Sequence, residues 1–180
     1  MKVTAIILAG GKSSRMGSDK GLVFHKGKPL VEYSVNVCKE FTDQILISSK
    51  NPEYSRFGYP LIPDNFMECG PIGGLEAALS ASDTDLNLIC PCDMPGINGF
   101  ILESLLHSVS GSEPVVARDP EGKLFPVLGV YHKSSLPVIR EQIQQGDYRM
   151  TSLLNRLKTK TILIEPAGML ANFNYPEDLQ

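Results

Sequence analysis

The chain has 180 residues, 42% of them hydrophobic and 21% charged, with a net charge of −3. That length supports one domain with a sizeable core, and that composition excludes a disordered or fibrous chain. The weakly acidic balance excludes a protein that holds nucleic acid by its overall charge, and apolar runs such as Ile6 to Ala9 and Leu86 to Cys92 fall far short of the ~20 residues of a membrane-spanning helix.

In chain order, Val3 to Leu8 (VTAIIL) is a β-branched and aliphatic run that stops at glycine, the pattern of a strand buried on both faces of a parallel sheet. A glycine loop follows, Leu8 to Lys20, reading LAGGKSSRMGSDK. Apolar positions from Leu30 to Phe41 recur at helical spacing, with Pro29 in the first turn, and Gln44 to Ser48 forms a second strand. Tyr59 to Pro63 gives a third strand ending at Asp64, and Pro71 opens a helix reaching about Ala81. Leu86 to Cys92 is a further apolar strand ending at Asp93; Asn98 then caps a helix running toward Val109. Glu113 to Arg118 returns to the sheet. Asp119-Pro120-Glu121-Gly122 is a turn signal before Leu124 to His132, so an antiparallel excursion is expected there. Helices over Ser134 to Gln145 and Thr151 to Leu157 precede a last strand, Thr161 to Ile164.

Alternation of strands and helices predicts one α/β domain over residues 1–180, a mainly parallel, doubly wound, Rossmann-like sheet with helices on both faces and a small antiparallel excursion. The N-terminus lacks the apolar length and small-residue cleavage site of a secretory signal, so cytoplasmic residence is expected. Reduced thiols are expected with it for Cys38, Cys69, Cys90 and Cys92. Cys90-Pro91-Cys92 lacks the spacing of a zinc site and reads as small residues at a buried strand end. His25, His107 and His132 are scattered without ligand spacing.

The chemistry gathers where such a sheet binds ligands, at the carboxyl ends of its strands. Gly10 and Gly11 end the first strand, Asp64 the third and Asp93 the fourth, so a cationic loop and two acids should converge on one crevice. Glycines let backbone N–H groups approach phosphate oxygens. Lys12, Arg15, Lys20, Lys26 and Lys28 share a segment whose only acid is Asp19, and they would neutralise a small polyanion. Neither G-x-x-x-x-G-K-[ST] nor G-x-G-x-x-G is present, which disfavours a P-loop ATPase and a dinucleotide dehydrogenase. Asp93, in Cys90-Pro91-Cys92-Asp93-Met94-Pro95, is a lone acid between prolines, and one aspartate facing a triphosphate suffices for Mg²⁺.

With these motifs the sequence resembles the molybdenum cofactor guanylyltransferases of the nucleotidyltransferase superfamily. LAGGKSSRMGSDKG and CPCDMP match that family's signatures, joined in order by GKPL at Gly27 to Leu30, GPIGGL at Gly70 to Leu75 and NFNYPEDL at Asn172 to Leu179. The resemblance implies transfer of GMP from GTP to the terminal phosphate of molybdopterin with release of pyrophosphate. It implies Arg15 and Lys20 on the departing pyrophosphate, and Mg²⁺ on Asp93. It also implies Leu8, Ala9, Gly10 and Gly11 around the nucleotide, and Asp64 on the nucleoside. Ser48 stands where related enzymes commonly carry Asn, and one hydroxyl cannot reproduce a two-ended amide contact. Asn172, Asn174 and Arg149 would face the pterin side. Transient complexes with proteins that deliver and receive the cofactor are expected by the same analogy. The rival readings are a cytidylyltransferase acting on molybdopterin or on a sugar or polyol phosphate, although related cytidine enzymes tend toward LAAG, and a nucleotide-binding adaptor without turnover.

Overall fold

The computed structural model describes residues 2–10, 19–165, 167–171 and 173. Seven strands form one sheet in the order β5-β4-β1-β6-β8-β7-β9. They are β1 (Val3–Leu8), β4 (Ile45–Ser48), β5 (Leu61–Ile62), β6 (Leu86–Pro91), β7 (Val115–Arg118), β8 (Leu124–His132) and β9 (Lys160–Leu163). β1 lies between β4 and β6, parallel to both. β8 is antiparallel to its neighbours β6 and β7, and β9 is parallel to β7. The expected excursion is therefore a single reversed strand inside the sheet, reached through a turn in which Asp119 Oδ1 accepts from Lys123 N at 2.8 Å.

Side-chain alternation explains why β1 and β6 read as unbroken apolar runs. Ala5 and Ile7, with Leu88 and Cys90, face a layer holding Val31, Val35 and Cys38 of α1 (Leu30–Cys38) and Ile101, Leu102 and Leu105 of α3 (Gly99–His107). Ile6 and Ile89 face the opposite layer, formed by α2 (Pro71–Ala81), α4 (Leu136–Gln144) and α5 (Met150–Arg156). A central strand with a helical layer on each face has no polar side to offer.

Asn98 caps α3 as expected, its Oδ1 accepting from Ile101 N at 3.2 Å. Pro29 differs from expectation. It precedes α1 instead of sitting inside its first turn, because it closes a two-stranded hairpin, β2 (Phe24–His25) paired with β3 (Lys28–Pro29). The hairpin turns through Lys26 (φ 47) and Gly27 (φ 80). No described helix is long and apolar enough to cross a membrane.

Candidate active site

Register alone gathers the candidate residues. Leu8 lies opposite both Ser48 and Pro91, and Ser48 opposite Ile62. These strands run in one direction, so Ala9-Gly10, Ser49, Asp64 and Cys92-Asp93 all leave the sheet along its carboxyl edge. Backbone bonds continue the ladder one step past the strands, from Ala9 N to Ser48 O (3.0 Å), Ser49 N to Ile62 O (3.0 Å) and Cys92 N to Leu8 O (3.2 Å).

At this edge Lys20 Nζ donates to Asp93 Oδ2 at 3.4 Å, across 73 positions of sequence. The two side chains are 27% and 18% exposed, open enough for a ligand to reach both. Lys20 opens a single 3₁₀ turn, Lys20–Leu22, capped by Asp19. The Asp19 carboxylate accepts from Gly21 N at 3.3 Å, from Asn51 Nδ2 at 3.1 Å and from the Tyr54 hydroxyl. Asn51 in turn caps a 3₁₀ segment, Pro52–Phe57, that follows β4. Burial first, then the nearby Cys92 and Asp19, push the Tyr54 phenol far above its ordinary pKa, so it stays a proton donor to Asp19.

Gly21 completes the interlock. A methyl group there would run into the Tyr54 hydroxyl and sit 3.2 Å from Cys92 Sγ, the residue next to Asp93. Only glycine lets the Lys20 turn lie flat on the Cys90-Pro91-Cys92-Asp93 strand end. Cys92 is buried, and that burial, reinforced by Asp93 and Asp19, holds its thiol well above the ordinary range. It is a packing group and not a nucleophile. All four cysteines are buried free thiols. Asp93 is held at its backbone, where its carbonyl accepts from Phe173 N at 2.8 Å, and Ser34 Oγ donates to Pro91 O at 2.7 Å just before it.

Across the edge, Ser48, Asp64 and the first turns of α2 meet. A methyl group on Gly74 would sit 2.7 Å from Ser48 Oγ, 3.5 Å from Asp64 Oδ1 and 3.6 Å from Leu8 Cδ2; one on Gly73 would sit 3.5 Å from Asp64 Oδ2. The paired glycines of GPIGGL therefore leave the space into which Asp64 turns. Burial raises the Asp64 pKa above the ordinary carboxylate value, with Lys50 pulling the other way. The folded chain thus holds this proton more tightly than the unfolded chain, and its stability falls as pH rises through the window above the ordinary value. Asp64→Asn, neutral throughout, should gain unfolding free energy relative to the native sequence as the pH rises above about 4. Urea melts across that range giving a constant difference would contradict the desolvation.

The other candidates stand as follows. Gly11, Arg15, Asn172 and Asn174 lie outside the described residues. Arg149 forms a fork with Asp147, Nε to Oδ1 at 2.8 Å and Nη2 to Oδ2 at 2.9 Å, while its backbone carbonyl accepts from Gln142 Nε2 at 3.0 Å. It is 76% exposed, and the Arg149 guanidinium holds the Asp147 carboxyl well below the usual range. The structure thus brings together Leu8, Ala9, Gly10, Lys20, Ser48, Asp64 and Asp93 along one edge, with Arg149 engaged by Asp147. Sequence reasoning missed Asp19, Gly21, Asn51, Tyr54 and Gly74. The signal for Asp19 was present, as the lone acid among five cations.

Residues 5–161 match the family described as the MobA-like NTP transferase domain. The chain belongs to this family. Among curated members, the probable molybdenum cofactor guanylyltransferase of Flavobacterium johnsoniae is 36% identical over 98% of this chain and 94% of that protein. The molybdenum cofactor guanylyltransferase of Vibrio parahaemolyticus is 35% identical over 97% of this chain and 91% of that protein. The fold is shared with molybdopterin-guanine dinucleotide biosynthesis protein A from Archaeoglobus fulgidus, at TM-score 0.82 and 24% identity, covering 98% of this chain and 94% of that one. As a MobA-like transferase domain, the chain keeps the expected α/β sheet.

Proposed function

We propose that this chain transfers GMP from GTP to the terminal phosphate of molybdopterin, forming molybdopterin guanine dinucleotide and releasing pyrophosphate. The observation that carries the reading is the Lys20–Asp93 pair at 3.4 Å on the carboxyl edge of the sheet, in a chain whose relatives at 36% and 35% identity are named for that activity. An oxygen of the acceptor phosphate attacks the α-phosphorus of GTP. The bond from that phosphorus to the bridging oxygen breaks, and its electron pair leaves with pyrophosphate. A phosphate monoester is largely dianionic at neutral pH, so no side-chain base is needed, and catalysis rests on alignment and neutralisation of charge.

Lys20, with Arg15, neutralises the pyrophosphate as it departs. Leu8, Ala9, Gly10 and Gly11 offer backbone groups to the guanine and phosphates, while Ser48 and Asp64 face the nucleoside beside the space that Gly74 leaves. Asn172, Asn174 and Arg149 belong to the acceptor side. Asp93 suits Mg²⁺, which takes one or two carboxylates and completes its shell with phosphate oxygens and water. Bound there, Mg²⁺ would supply further neutralisation of the phosphate oxygens. Cytoplasmic residence and transient handover to proteins that supply and receive the cofactor complete the reading.

Incubation with molybdopterin and either GTP or CTP, following pyrophosphate, tests it. At least about tenfold preference in kcat/KM for GTP is expected. Equal use of CTP would replace guanylyl by cytidylyl transfer, and tight GTP binding without pyrophosphate would leave only an adaptor.

A further inference from the structure

Asp19 is an acid placed where an acid is unfavourable. It is the only carboxylate in a segment that holds Lys12, Arg15, Lys20, Lys26 and Lys28, and a negative charge beside a triphosphate lowers its affinity. Whatever Asp19 contributes must therefore come through the shape it imposes. Both of its oxygens are occupied by neutral donors: Oδ1 accepts from Gly21 N at 3.3 Å and from the Tyr54 hydroxyl, and Oδ2 accepts from Asn51 Nδ2 at 3.1 Å. The next residue is Lys20, whose ammonium reaches Asp93 Oδ2 at 3.4 Å.

The two side chains that grip Asp19 are themselves fixed. Tyr54 has no exposed surface, and its ring lies in the core layer with Val31, Val35 and Cys92. Asn51 follows β4 by three positions; its backbone N donates to Ser49 Oγ at 3.1 Å and its Oδ1 accepts from Glu53 N at 3.0 Å. The Lys20 turn has no such support of its own. It is three residues long, Lys20–Leu22, too short to persist by its internal hydrogen bonding. Its place against the end of β6 is set from outside, by the connection that leaves β4 beside Ser48 and Ser49. A cation held in place before the ligand arrives spares the cost of ordering it during the reaction.

We infer that Tyr54 and Asn51 are positioning residues for the transfer: through Asp19 they hold the Lys20 turn at the end of β6, so that its ammonium is in place for the departing pyrophosphate. The inference rests on the role given to Lys20 in the function proposed above. Neither Tyr54 nor Asn51 takes part in the chemistry; each acts through Asp19 on Lys20.

The test is a double-mutant cycle with Lys20, read by calorimetric titration with GTP and with inorganic pyrophosphate, each in the presence of Mg²⁺. Lys20→Ala should weaken both ligands about tenfold, and Tyr54→Phe, which removes one hydrogen bond to a carboxylate, about fivefold. Asn51→Asp keeps the oxygen that accepts from Glu53 N but sets a second oxygen against Asp19 Oδ2, and it should weaken both ligands further than Tyr54→Phe. With molybdopterin and GTP, Tyr54→Phe should raise KM for GTP and lower kcat while leaving KM for molybdopterin within about twofold. In the Lys20→Ala background, Tyr54→Phe should lower the melting temperature as much as it does in the native chain, yet change neither affinity by more than about 1.5-fold. A loss of affinity of the same size in both backgrounds would make Tyr54 a residue of the core alone and overturn the inference, as would unchanged affinities in Tyr54→Phe and Asn51→Asp. Should the native chain bind GTP but release no pyrophosphate with molybdopterin, the guanylyl reading falls while the affinity cycle still decides Tyr54. A native chain that binds neither GTP nor pyrophosphate brings down both.

Discussion

Asp93→Asn is expected to lower kcat for guanylyl transfer by at least about 10²-fold, the usual loss on removing one major electrostatic stabiliser, while leaving KM for GTP within a few-fold. The substitution keeps the shape of the side chain and the backbone bond from Phe173 N. It removes the charge that faces Lys20 at 3.4 Å. Lys20, relieved of its carboxylate partner, keeps its ammonium for the triphosphate, so ground-state binding is held while the reacting centre loses the carboxylate that we propose would hold Mg²⁺. Both side chains of the pair are partly solvated, and a pair of that kind contributes under about 1 kcal/mol to stability. The rate loss therefore cannot be unfolding, and a thermal melt checks this directly. Single-turnover rates within about threefold of the native chain would remove Asp93 and its ion from the chemistry.

What the sequence disclosed follows from which interactions are periodic. β1 and β6 were legible because strands enclosed by a helical layer on each face must be apolar at every position, and β8 because the Asp-Pro-Glu-Gly turn announced a reversal. The convergence of Gly10, Asp64 and Asp93 followed from a rule of topology, that parallel strands deliver their carboxyl ends to one edge. Nothing periodic marks the hairpin at Phe24–Pro29, whose strands are two residues each, or the 3₁₀ segment Pro52–Phe57. Both are set by tertiary packing.

The same limit applies to the site. Lys20 and Asp93 carry charge in suggestive motifs, and the fold brings them together. Gly21 and Cys92 matter for being small where the Lys20 turn crosses the end of β6, and size alone leaves no mark that separates them from other small residues. Asp19 lies between these cases, legible as an odd charge, with its purpose fixed by Asn51 and Tyr54 some thirty residues on.

Glu76→Ala is expected to destabilise the fold by about 2–3 kcal/mol, at or just below the lower limit of what breaking a wholly buried ion pair costs. Glu76 sits on α2 with 1% of its side chain exposed, and its carboxylate accepts from Arg140 Nε at 2.7 Å, Asn65 Nδ2 at 2.9 Å and Ser80 Oγ at 3.0 Å. It joins α2 to α4 and to the loop that carries Asp64. Truncation leaves the Asn65 amide without its acceptor and opens a polar cavity. Arg140 is 49% exposed, so it turns to water, and this is why the loss stays below that of a wholly enclosed pair. For a chain of this length the melting temperature should fall by roughly 5–10 °C. Glu76→Gln, which keeps the shape and can still accept from Asn65, should lose less. Because Asn65 follows Asp64 directly, Glu76→Ala should also raise KM for GTP at temperatures where the chain remains folded, with KM for the acceptor unchanged. Urea unfolding that differs from the native chain by less than about 0.5 kcal/mol would show that water replaces the carboxylate at no loss, and that the Asp64 loop is held by the sheet alone.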